Sequence, residues 1–185
     1  MISTSDFKTG MTIEYNGNIY QIIEFHHVKP GKGQAFVRTK MRNLRAGSVI
    51  DITFNAGEKV EKAMIEKKKM QYLYFSGGLY SFMDMETYEQ IEIEENRLEF
   101  EKNFLLEGMD VIIVDYQGEI LGVQIPEKVT LEVVECAPGV KGNTAANATK
   151  DAIVETGYRV LVPLFIETGD KIIINTNDGK YSSRA

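Results

Sequence analysis

Short runs of β-prone residues, each closed by a turn containing glycine, recur along nearly the whole chain, and that spacing confines it to small barrels or sandwiches. Thr12–Tyr15 and Ile19–Ile23 flank Asn16-Gly17-Asn18. Asn-Gly between β-rich runs is a strong hairpin signal, because both residues tolerate positive φ. A second hairpin is expected from Ile22–Val28 through Pro30-Gly31-Lys32-Gly33 into Ala35–Met41, with Val49–Phe54 as a further strand. Beyond Ala63 the expected strands are Gln71–Phe75, Leu79–Met83, Tyr88–Ile93, Val111–Tyr116 and Ile120–Ile125. After Pro126 come Val129–Val134, Tyr158–Ile166 and Lys171–Thr176. Leu98, Phe100, Phe104 and Leu105 would line one side of a short helix ending before Gly108.

Four or five short strands before residue 63 suit an SH3-like barrel, and each later region, with five or six strands and one short helix, suits an OB barrel. The fold expected is therefore all-β, with three small β-barrels in a row at 1–63, 64–127 and 128–185. Each is marginal in core size on its own, so neighbours are expected to pack together.

The net charge of -6 argues at first against a nucleic-acid partner, but it is unevenly spread. Residues 1–63 hold nine Lys/Arg against six Asp/Glu, while residues 64–128 hold six against fourteen. Lys29, Lys32, Arg38, Lys40, Arg42 and Arg45 follow one another with no acidic residue between them. On the expected strand, the two-residue period puts Phe36, Arg38, Lys40 and Arg42 on one face and Ala35, Val37, Thr39 and Met41 on the other. A basic stripe on an acidic protein meets phosphates locally, while the acidic middle discourages general coating of RNA.

Enzyme chemistry finds no constellation. His26 and His27 are adjacent on a strand and point to opposite faces. The one cysteine, Cys136, is remote in sequence from both, fits a reducing compartment and makes no zinc spacing with them. Carboxylates between Glu86 and Glu107 have the density of a solvated face. Pro30-Gly31-Lys32-Gly33 lacks the four-residue spacer and the Ser/Thr of a phosphate loop. It specifies a shaped turn instead: Pro30 fixes φ, the glycines permit positive φ or close approach of a partner, and Lys32 stands at the apex. No stretch is apolar enough for a membrane helix, and Met1–Asp6 lacks the features of a signal peptide, so the expectation is a cytoplasmic protein with no membrane partner.

The segment His27-Val28-Lys29-Pro30-Gly31-Lys32-Gly33-Gln34-Ala35-Phe36-Val37-Arg38 closely resembles the signature loop of the elongation factor P family. The resemblance continues through Met41–Gly47, Tyr72-Leu73-Tyr74, Lys150-Asp151-Ala152, Val160–Phe165, Gly169-Asp170 and Gly179–Arg184, in order along the whole chain. It implies an SH3-like, KOW-type domain followed by two OB domains in a tRNA-like outline. It also implies a translation elongation factor that binds the ribosome between the P and E sites, contacts peptidyl-tRNA and relieves stalling at consecutive prolines. Lys32, extended by a lysine-modifying enzyme, would reach the peptidyl-transferase centre, where ribosomal RNA performs the chemistry. No catalytic residue, metal or cofactor of its own is implied, and a monomer is expected.

The RNA-contacting residues expected are Lys29, Arg38, Lys40, Arg42 and Arg45, with Tyr181 and Arg184 at the end of the chain. In the third domain the family's Gly-Asp-Thr-Ala-Gly loop, associated with the E-site codon region, is here Gly142-Asn143-Thr144-Ala145-Ala146. That change removes a carboxylate and a glycine's conformational freedom. Two rival readings are a paralogue acting on other stalls and a general single-strand-binding OB module. The full Pro-Gly-Lys-Gly context opposes the first, and the acidic middle opposes the second.

Overall fold

The computed structural model describes residues 1–138 and 148–185. Among the described residues it is built from strands, turns and three short 3-10 segments. In the first region the strands are β1 (Ile2–Ser3), β2 (Thr12–Tyr15), β3 (Asn18–Val28), β4 (Phe36–Asn43), β5 (Val49–Asn55) and β6 (Lys59–Lys62). They form one sheet in the order β1-β6-β2-β3-β4-β5. Asn16 and Gly17 both take positive φ, 47° and 76°, as a two-residue hairpin turn requires. The two segments expected at Ile19–Ile23 and Ile22–Val28 are one continuous strand, β3. A register shift between Ile22 and Glu24 bends it so that it serves both hairpins.

The inward alternation on β4 holds: Val37, Thr39 and Met41 are fully buried beside Phe7, Ile13, Ile22 and Phe54. Thr39 is an oddity in that core, because its Oγ1 is the one buried side-chain polar atom among the described residues without a hydrogen-bond partner. A buried hydroxyl with no partner costs about 1–3 kcal/mol, and valine has nearly the same shape. Thr39→Val is expected to raise unfolding free energy by about 1 kcal/mol in urea denaturation; a loss of stability would mean that the hydroxyl is satisfied, for instance by water.

The second region carries β7 (Glu66–Ser76), β8 (Leu79–Asp84), β9 (Gln90–Glu94), β10 (Asp110–Tyr116) and β11 (Glu119–Gln124), in the sheet order β11-β10-β7-β8-β9. Tyr72, Tyr80 and Phe82 meet at its centre, with ring centroids 5.5 and 5.8 Å apart. Burial pushes the Tyr72 phenol up to about 12. The third region carries β12 (Lys128–Cys136), β13 (Thr149–Val154), β14 (Arg159–Pro163), β15 (Lys171–Asn175) and β16 (Lys180–Arg184), in the order β14-β13-β12-β15-β16. Its core holds Leu131, Val133, Val154, Val162, Ile172 and Ile174, joined by Phe104 from the second region. At the β15–β16 turn Gly179 has φ +71, and a Cβ there would fall 2.5 Å from the Tyr158 hydroxyl that donates to the Gly179 carbonyl at 2.7 Å.

Packing divides the chain into two compact units. One comprises residues 1–67 with 114–122, the other residues 68–113 with 123–185.

Three expectations are corrected. The helix through Leu98–Leu105 is instead two 3-10 turns, Glu95–Arg97 and Glu101–Phe104; Phe100 is exposed, while Leu98, Phe104 and Leu105 are buried. The strand expected at Tyr88–Ile93 begins only at Gln90, because Tyr88 lies in the preceding turn at φ 61°. The strand expected at Tyr158–Ile166 spans only Arg159–Pro163, beyond which the chain turns, with the Ile166 amide donating to the Pro163 carbonyl.

Candidate nucleic-acid interface

Val28 and Phe36 form the last pair of the β3–β4 ladder, leaving residues 29–35 as the loop. Lys29, Gly31, Lys32, Gly33 and Gln34 are exposed, while Pro30 and Ala35 are half-buried. The Ala56 amide donates to the Ala35 carbonyl at 3.0 Å and fixes the base of the loop. The two glycines differ. Gly33 has φ +113, so a side chain there strains the backbone, and its Cβ would sit 3.8 Å from Pro30 Cγ. Gly31 has no positive φ, and a Cβ there would meet nothing within 4 Å. The fold itself makes no demand for glycine at 31, where a side chain would meet open space. Lys32 has no hydrogen bond or ion pair to any described residue. The loop therefore presents one long-stemmed cation on a tip bounded by a ring and a fixed turn.

The basic stripe is real but mixed. Arg38 and Arg42 are exposed and Lys40 is half-buried. Register places His26 and Thr53 beside Arg38, Glu24 and Asp51 beside Lys40, and Gln21 and Val49 beside Arg42. Glu24, His26, Arg38, Lys40 and Asp51 line an open concavity of about 340 Å³. His26 Nε2 lies 2.8 Å from Glu24 Oε1. Lys40 thus stands between carboxylates on both neighbouring strands, and the exposed arginines carry most of the positive field. Glu24, His26 and Asp51 were missed by the sequence reading because cross-strand neighbours are remote in the chain; the alternation of β3 and β5 is the signal that could have found them.

Arg45 is placed differently. Its Nε and NH2 donate to the two carboxylate oxygens of Glu119 at 3.0 and 2.9 Å, and its NH1 donates to the Gly17 carbonyl at 2.9 Å. The Glu119 hydrogen bond raises the guanidinium above its ordinary pKa. In the third region Tyr181 is half-buried against the core, and Arg184 NH2 lies 3.5 Å from Asp170 Oδ1. Both belong to the second compact unit, the Lys32 loop and the stripe to the first. Gly142, Asn143, Thr144, Ala145 and Ala146 lie outside the described residues. Among the described residues there is no group of His, Cys, Asp and Glu able to hold a metal ion, and no helix is long and apolar enough to cross a membrane.

The chain is all-β and displays an exposed lysine on a hairpin tip, and its domains match those of a translation factor in order. Residues 3–60 match the elongation factor P KOW-like domain, residues 65–123 its OB domain and residues 129–184 its C-terminal domain. The three models in this order cover nearly the whole sequence, and the chain belongs to the elongation factor P family. Among solved structures it is similar to eukaryotic translation initiation factor 5A from Methanococcus jannaschii, with 25% identity and a TM-score of 0.52 over 68% of this chain and 90% of that one. A translation initiation factor eif-5a family protein from Naegleria fowleri ATCC 30863 shares the fold at 16% identity and a TM-score of 0.50, over 67% and 96%.

Proposed function

We propose that this chain binds the ribosome between the P and E sites, contacts peptidyl-tRNA and stimulates peptide-bond formation at consecutive prolines through a modified Lys32. The observation that carries this reading is the exposed, unpartnered Lys32 on a loop whose Gly31 answers to no demand of the fold. Family membership and the likeness to a translation initiation factor support it. The three barrels are assigned to 1–63, 64–127 and 128–185, and the protein acts as a cytoplasmic monomer whose Lys32 is the substrate of a separate modifying enzyme.

Proline is a constrained secondary-amine nucleophile, and a polyproline peptide misplaces the reacting ester. Restoring a near-attack geometry lowers the barrier without any acid or base from the factor, so the chemistry stays with ribosomal RNA. A tip fixed by Pro30 and Gly33 holds the cation at a small ordering cost. Arg38 and Arg42, with Lys29 at the loop base, meet phosphates and position the factor without reading sequence. Tyr181, Arg184 and residues 142–146 are assigned to RNA contacts of the third domain, where Asn143 keeps hydrogen-bonding capacity without a carboxylate. The direct test is translation of a reporter with a run of prolines in a system depleted of the endogenous factor. The modified protein is expected to restore full-length product on the proline reporter and to leave a proline-free control unchanged. No effect on the proline reporter would overturn the reading.

The stripe yields a separate expectation. Replacing Arg38 and Arg42 together by glutamine is expected to weaken ribosome binding and reduce the slope of log affinity against log salt by about 1–2. Replacing Lys40 alone should matter less, because Glu24 and Asp51 already offset it. A salt series in which the double variant matches the parent would show that the stripe is only solvated.

A further inference from the structure

The Lys32 loop and Arg45 lie at opposite ends of the same two strands. β3 runs from Asn18, next to the Gly17 turn, to Val28 at the loop, and β4 returns from Phe36 to Asn43, just before Arg45. At a rise of about 3.3 Å per residue, that separates the two ends by roughly 30 Å. At the far end Arg45 holds three acceptors at once, both oxygens of Glu119 and the carbonyl of Gly17. Its own backbone is pinned, since the Arg45 and Ala46 amides donate to Asn43 Oδ1 at 2.8 and 3.0 Å. A second polar contact, between the Tyr116 hydroxyl and Glu14 Oε1, lies beside it. Beneath both, Ile19 and Ala63 pack with Val114, Tyr116 and Leu121. The hairpin of residues 114–122 is therefore fastened to the barrel that carries the loop, and both belong to one compact unit.

We propose that Arg45 and Glu119 are positioning residues: their two-pronged contact holds the 114–122 hairpin and the loop-bearing barrel as one body, so that Lys32 is aimed rather than merely tethered. The inference rests on the reading of Lys32 given above. A single exposed ion pair does little for stability. Its geometric effect is larger, because a rocking of about 10° at the clamp moves a tip some 30 Å away by about 5 Å. A misplacement of about 1 Å at a reacting centre already costs up to about 100-fold in rate. Lysine at 45 could keep the charge but not the planar fork.

The test has two arms. In full-length protein with Cys136→Ser, spin labels on Gln34→Cys and Gln117→Cys report the distance between the loop and the hairpin. The parent should give one narrow distribution, Arg45→Ala and Arg45→Lys a distribution at least twice as broad, and the reversed pair Arg45→Glu with Glu119→Arg a narrowed one. In proline-dependent peptide-bond formation, Arg45→Ala should lower the saturated rate tenfold or more and shift the half-saturating concentration less than threefold. The reversed pair should recover most of the rate. A distribution in Arg45→Ala as narrow as the parent's, or a broadened one with an unchanged saturated rate, would overturn the proposal. Should Lys32→Ala itself leave the rate intact, the functional reading fails, and the distance arm still judges the clamp.

Discussion

Lys32→Ala is expected to leave the fold intact and to abolish relief of proline stalling. The side chain is exposed and makes no contact whose loss would register in stability, so the unfolding midpoint should shift by no more than about 0.5 kcal/mol equivalent. Under the proposed function activity is another matter, because the tip would act through geometry at the reacting centre. If docking spreads over many contacts away from the tip, removing the extended lysine costs a modest part of ribosome affinity and most of the rate gain. Lys32→Arg should fail nearly as badly, since a guanidinium differs in shape and is no substrate for a lysine-modifying enzyme. Affinity and saturated rate measured on stalled ribosomes, with modified and unmodified protein side by side, separate the roles. Full rate from saturating unmodified protein would reduce Lys32 to an anchor.

The second large effect is on stability. Phe104 is fully buried in the third region's core although it belongs to a 3-10 turn of the second region. Its ring centroid lies 5.0 Å from that of Tyr158 and 5.2 Å from that of Phe100, both near edge-on. Phe→Ala in such a core removes transfer free energy and leaves a cavity, for a loss of about 3–5 kcal/mol. That is a large share of the roughly 5–15 kcal/mol that holds a typical domain folded. Guanidinium denaturation of Phe104→Ala should show early loss of the second unit. A loss below about 1 kcal/mol would mean that the core collapses around the gap.

Strands bounded by clear turns were legible in the sequence: β2, β4, β8 and β10 fall within two residues of where the pattern puts them, although only β4 alternates strictly. The strands β1, β6, β13 and β16 were not. Val60 is the one buried residue of β6, so no period could emerge there. In β13 the inward sequence is Lys150, Ala152, Val154, and a buried lysine disguises the core face. Its ammonium reaches the Ala137 carbonyl at 2.5 Å, a partner that no local pattern announces. The turn at Pro30-Gly31-Lys32-Gly33 was legible because the residues that shape it lie within four positions, and it falls between β3 and β4 as the pattern puts it. Arg45 looked like one more member of a basic run. Its hydrogen bonds to Glu119 could not be read there, because only the folded chain brings the two together.

The charge of the middle region acquires a second meaning from the sheet order. β9 is the outermost strand of its sheet, with no neighbouring strand on its other side among the described residues. Glu92 and Glu94 stand exposed along it, flanked by Glu89 and Glu95. An open edge is a template on which another copy can add a strand, and like charges along it make that approach repulsive. Carboxylates expected to discourage RNA would thus also repel a second copy approaching this edge.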